Sequence, residues 1–224
     1  MKKVLCVILC VLLLSFASGC NKTKGTYTIL PMEEADGTVD KEIIDRFLTD
    51  NSSNYKEIQK NVPDVLSQLM DITPEALQDK CSIYKFRKEF GTGLAGRTYL
   101  VCDNKVFPIG NALGGYGITE FAYINDSNQD MLYFIYSWGS GIHRSHIGAF
   151  NFNTKEITDY GGLIKGFQGN DIAFCLSKDN KTLGICEAEI KWTNYDTGEV
   201  EITKGKRIFR DIDAFAFTAI DKEE

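Results

Sequence analysis

The apolar positions of this chain change texture near residue 81. Before it they recur at helical spacing. In "TVDKEIIDRFLTD", Val39, Ile43 and Phe47 fall four apart with Ile44 and Leu48 beside them. That is the stripe of an amphipathic helix, and Thr38 is placed to cap it. Pro63 and Pro74 each stand where a first helical residue would, each followed by an acid, so "PDVLSQLM" and "PEALQDK" read as two short helices. The pattern predicts a helical segment over 38–80. From Cys81 onward the runs are short, aromatic and β-branched: "CSIYKFRKEF", "RTYLVCD", "KVFPIG", "GITEFAYI", "MLYFIYS", "IGAFNF", "DIAFCLS", "TLGICEAEIKWTNY" and "DAFAFTAI". Turn signals separate them, at Asp103-Asn104, Asn125 to Asp130, Asn153-Thr154, Lys178 to Lys181 and Asp196 to Gly198. Residues 81–224 therefore read as an antiparallel meander with little room for crossover helices. The fold class predicted is mainly β with a short N-terminal helical segment.

A repeat lies inside the meander. At a shift of 51, "AYINDSNQDMLYFI" (122–135) falls on "AFCLSKDNKTLGIC" (173–186). At a shift of 43, "FNFNTKEI" (150–157) falls on "TNYDTGEV" (193–200), so the first copy carries about eight extra residues, at or near "SWGSGIHRSH" (137–146). A period in the forties is the length of a four-stranded propeller blade. "LSKDNKTLGI" and "YDTGEV" are similar to the hairpin and outer-turn sequences of WD-type blades, over residues 121–202. The resemblance implies propeller-like repeats. The chain from Cys81 offers three blades and a little, where closed propellers have four or more, so an incomplete or atypical meander is the alternative.

The first residues are processing signal rather than fold. "MKKVLCVILCVLLLSFASGC" has a basic start, an apolar run from Val4 to Leu14 and small residues before Cys20. This is the three-part layout of a secretory signal, too short to span a bilayer. Ala17-Ser18-Gly19-Cys20 resembles the lipobox of bacterial lipoproteins. The resemblance implies cleavage of residues 1–19, acylation of Cys20 and an extracytoplasmic, membrane-anchored protein. Residues 20–37 then form the lipidated cysteine and a polar tether.

Charge narrows the partners. Losing Lys2 and Lys3 takes the formal charge from −6 to −8. No basic footprint for nucleic acid remains, and the lipid rather than a polybasic patch would hold the membrane. Cys81, Cys102, Cys175 and Cys186 are left in the mature chain. An even number in an exported protein allows disulfides, and their spacing fits no zinc motif. Cys175 and Cys186 align with Ile124 and Ile135, which predicts a buried position nearly opposite each other on one hairpin.

Three motifs invite chemistry. "GTGLAG" (91–96) fits G-x-G-x-x-G, but a strand follows it where a dinucleotide site needs a helix, and the lysine and aspartate signatures of a kinase are missing. It reads as a hairpin loop. "DSNQD" alternates Asp126, Asn128 and Asp130 like a calcium loop, but Met131 replaces the turn glycine and Ser137 the final glutamate, so a hairpin tip explains it. "SWGSGIHRSH" holds both histidines of the chain, His143 and His146, with Arg144 between them and Trp138 before. Trp138 offers a stacking face and Arg144 a fork for an anion, which suits binding of a small polar ligand or a protein. A metal site would need a third ligand, and a nucleophilic site a serine and an acid beside a histidine. Trp138, His143, Arg144 and His146 are the candidate contact residues of a non-catalytic binding or interaction module. No cofactor and no metal is implied. The alternatives are an envelope hydrolase or metal-dependent enzyme using His143 and His146, and a structural spacer or assembly subunit.

Overall fold

The computed structural model describes residues 25–32, 69–86, 98–110, 117–138, 144–161, 171–194 and 199–208. They form twelve strands in three antiparallel sheets. The first in chain order is four-stranded: β2 (Leu69–Asp71), β3 (Ser82–Phe86), β4 (Thr98–Cys102) and β5 (Lys105–Ile109), paired in that order. The second holds β6 (Ile118–Asn125), β7 (Asp130–Trp138), β8 (Arg144–Asn151) and β9 (Glu156–Gly161), with β1 (Thr28–Leu30) added at the edge beside β6. The third holds β10 (Asp171–Leu176), β11 (Leu183–Asn194) and β12 (Glu199–Ile208). The chain is mainly β, as expected, and the described strands do not close into a ring.

The second sheet is covered on both faces, and the strand alternation shows how. Phe121, Leu132, Phe134 and Phe150 join Ile83, Leu100 and Ile109 of the first sheet in one core. Ala122, Ile124, Tyr133, Ile135, Ile147 and Ala149 join Ile172, Phe174, Leu183 and Ile185 of the third sheet in another. Burial on both faces is why "EFAYI" and "MLYFIYS" read as continuous apolar runs rather than alternating ones. Each fully buried phenylalanine of this stack contributes about 1.5–3 kcal/mol relative to exposure.

Local chemistry sets the hairpins. Asp103 and Asn104 both take positive φ (49° and 59°), the backbone of a two-residue primed turn between β4 and β5. Asp126 Oδ1 accepts from the N–H groups of Asn128 and Gln129, and Oδ2 from Gly25, closing the β6–β7 turn and tying the start of β1 to it. Pro108, which cannot donate, lies on the edge strand β5.

The repeat holds in its first half. Hairpin β6–β7 corresponds to β10–β11, and Phe134 and its counterpart Ile185 both face the preceding sheet. The second half differs. In the first copy β7 ends at Trp138 and pairs with an antiparallel β8, whereas β11 continues as one strand of twelve residues through the corresponding stretch. The shift of 43 therefore lays the β8–β9 hairpin on the β11–β12 hairpin, the third and fourth strands of one sheet on the second and third of another.

The N-terminal helical segment is not supported. "PEALQDK" forms one 3-10 turn, Glu75–Leu77, with Pro74 at its start. The end of "PDVLSQLM" is strand: Leu69–Asp71 pairs with β3. Asp71 Oδ1 accepts from Thr73 N, and Thr73 Oγ1 accepts from Ile83 N, so the chain is pinned extended up to Pro74. The stripe at 38–50 lies outside the described residues, as do "GTGLAG" and "DAFAFTAI". Within the expected tether, Thr28–Leu30 is a strand and Tyr27 is buried.

Candidate functional site

The opening between the sheets is a cavity of about 520 Å³ beside edge strand β1. Its walls come from all three sheets: Ile29 to Met32, Thr119 and Glu120 from the second, Ile72 and Lys85 from the first, and Glu199, Val200 and Ile202 from the third. The volume falls in the range of small-molecule sites, and the lining follows their pattern of apolar walls with a few polar groups. Two of those groups carry charge and are buried, Lys85 at 4% exposure and Glu120 at 7%.

Glu120 is the junction of the site. It shares the alternation of Ala122 and Ile124, which face the third sheet, and the register shift just before it sets Ile118 on the opposite face. Its Oε2 accepts from Phe174 N and its Oε1 from Lys204 Nζ, while Lys204 also donates to Phe174 O at 2.8 Å. One carboxylate thus joins β6, β10 and β12. Burial pushes the Glu120 carboxyl above its usual range, against the lowering pull of Lys204 and the Phe174 amide.

The described ends of "SWGSGIHRSH", Ser137 and Trp138 on β7 and Arg144 to His146 on β8, lie at the same end of the second sheet. Trp138 pairs with Arg144 in the ladder, and two positions further in Tyr136 pairs with His146, level with Ile118 at the start of β6. The His146 ring stacks on Tyr136 at 5.2 Å, and Tyr136 donates its hydroxyl to Asp159 Oδ2 at 2.8 Å. Burial first, and then Asp159, push the Tyr136 hydroxyl pKa upward. His143 lies outside the described residues, and so does Cys20.

The alternation of the strands separates the serines from His146. Ser137 and Ser145 pair with each other at positions adjacent to Tyr136 and His146, so they face the third sheet while His146 faces the first. Ser145 Oγ accepts from Ile172 N at 3.1 Å, a contact between sheets rather than with an imidazole. The "DSNQD" oxygens are used locally: Asp126 as described, and Asp130 by Lys80 and the Tyr123 hydroxyl. No cluster of three potential metal ligands occurs among the described residues. The cavity and Glu120 were not singled out from the sequence. The available signal was one acid inside the apolar run "GITEFAYI".

No protein-family model, curated protein or solved structure matches this chain.

Proposed function

We propose that this chain is a lipid-anchored bacterial envelope protein whose β domain is a non-catalytic binding module. The lipid on Cys20 holds it at the extracytoplasmic face of a membrane. The described segments include no helix long and apolar enough to cross one. Its three stacked sheets are propeller-like blades, a reading supported by the equivalent hairpins that turn the same face to the preceding sheet. The ligand is a small molecule with an apolar body and one polar end. The observation that carries the reading is the cavity, with apolar walls from β1, β12 and Ile72 and charged groups at Glu120 and Lys85. Trp138, His143, Arg144 and His146 serve as contacts to the ligand's exposed part or to a protein.

The test is solvent extraction of the purified mature protein, with the released molecules identified by mass. The expected result is a bound small molecule with the wild type that is lost from Ile202→Trp, in which the indole fills the cavity. A folded Ile202→Trp protein carrying the same molecule would refute the cavity as its site.

A further inference from the structure

The four cysteines of the mature chain fall into two neighbouring pairs, all four reduced in this structure. Cys81 and Cys102 sit across the β3–β4 ladder. Ser82 pairs with Val101 and Ile83 with Leu100, so the next position outward sets Cys81 opposite Cys102. The hydrogen-bond pattern gives the type of pair. Ile83 donates its N–H to Thr73 and accepts at its carbonyl from Ile72, so both groups point away from β4. Ile83–Leu100 is therefore a non-hydrogen-bonded pair, and so is Cys81–Cys102 two residues along. Such pairs hold their Cα atoms about 4.5 Å apart, inside the range disulfides span. Both thiols are buried in the core between the first and second sheets.

Cys175 and Cys186 sit on the β10–β11 hairpin. Cys175 pairs with Gly184 and Cys186 with Ala173, which makes the cysteines diagonal neighbours on one face rather than directly opposite. The two residues facing them are glycine and alanine, so no bulky side chain stands between the sulfurs. The Cys186 thiol donates to Ala173 O at 3.6 Å, and the Cys175 thiol beside it pushes its pKa upward. At about 7–8 Å between Cα atoms a diagonal pair lies just beyond ordinary disulfide reach, so closure requires the two strands to move together.

We propose that Cys81–Cys102 and Cys175–Cys186 are oxidised to two cross-strand disulfides in the exported protein, one clipping the first sheet and one the third. The compartment is part of the function proposed above; the pairing rests on the ladders alone. Each bridge forms by exchange with a disulfide-bearing oxidant. One cysteine thiolate attacks the oxidant's disulfide and releases one of its sulfurs as a thiol. The second thiolate then displaces the other, so two protein thiols lose two electrons and two protons and the oxidant is reduced to two thiols. The pairs differ in timing. Cys81 and Cys102 are both buried between the first and second sheets, out of reach of an oxidant, so this bridge closes before the sheets stack. Cys175 is half-buried, so the second pair also closes in the folded protein.

The experiment is alkylation of the mature protein under denaturing conditions without reductant, followed by peptide mapping. The expected result is two linked peptide pairs, 81 with 102 and 175 with 186, and a protein lighter by two hydrogens per bridge. Reduction lowers its melting temperature by roughly 10–25 °C. Four alkylated cysteines in a chain that carries the Cys20 lipid, or linkage in another pattern, would overturn the proposal. Four alkylated cysteines in a chain without the lipid would refute export. The full chain refolded with oxidised glutathione then decides the pairing alone. The same two links uphold it, and any other outcome rejects it. Cys102→Ser is expected to abolish only the first link.

Discussion

Replacing Glu120 probes the junction between the second and third sheets. Its carboxylate accepts from two donors, Phe174 N and Lys204 Nζ. Glutamine keeps one acceptor oxygen and turns the other into a donor, so one of the two donors must find another partner. Lys204 is 40% exposed and can turn to water, whereas the Phe174 amide belongs to a fully buried residue. The cheaper arrangement keeps the amide bond and releases the lysine, a loss of about 1 kcal/mol or less for a partly solvated pair. Leucine at 120 provides no acceptor. The Phe174 N–H is then stranded, at a cost of about 1–3 kcal/mol. The expected order of stability is wild type, then Glu120→Gln, then Glu120→Leu, read from urea midpoints at an unchanged m-value. A leucine variant as stable as wild type would refute the argument that this carboxylate holds the junction. The pH dependence adds a signed check. The folded-state pKa of Glu120 is raised, so its contribution is present below the unfolded value and is lost as pH rises through the folded one. Against the non-titrating Glu120→Gln, wild type therefore loses stability as pH rises through the folded pKa, and a difference in its favour that grows with pH would contradict the raised pKa.

Three further outcomes are expected. At Gly148, directly opposite Phe134, an added Cβ would lie 2.4 Å from the ring carbon Cε2 of a residue 1% exposed, so Gly148→Ala costs about 1–3 kcal/mol in urea unfolding, and unchanged stability would count against this packing. Backbone N–H bonds, the Asn128 amide first, hold the Asp126 carboxyl below its usual range. Its contribution is present above the unfolded pKa and lost as pH falls through the folded one, so the stability gap between wild type and Asp126→Asn closes on acidification, and a gap that widens would contradict the assignment. Cys20→Ala abolishes incorporation of labelled fatty acid and leaves residues 1–19 uncleaved, whereas labelling that persists would move the lipid elsewhere.

The strands legible in the sequence are those with a covered face. β3 to β8, β10 and β11 each carry the short apolar, aromatic runs that two packed cores require. The strands β9 and β12 were missed because their exposed residues, such as Glu156, Thr158, Glu201 and Thr203, leave no apolar run to notice. β1 and β2 are three residues long, too short for a period, and only pairing with β6 and β3 makes them strands. The proline-acid pairs at Pro63 and Pro74 suggested helix starts, but Asp71 and Thr73 pin the chain extended before Pro74 and leave room for one turn. The cysteine pairing was partly legible: the repeat placed Cys175 and Cys186 on one hairpin, and the six-residue turn between β10 and β11 offsets them by two positions. The cavity had no linear signature, since its walls come from five separated stretches of chain.

The account is tested most directly by native mass spectrometry of the mature protein released from its own membranes. It predicts a chain beginning at an acylated Cys20, with a non-covalently bound small molecule that disappears in Ile202→Trp. A chain that retains residues 1–19 without acyl mass, and binds nothing that the cavity substitution removes, would contradict it.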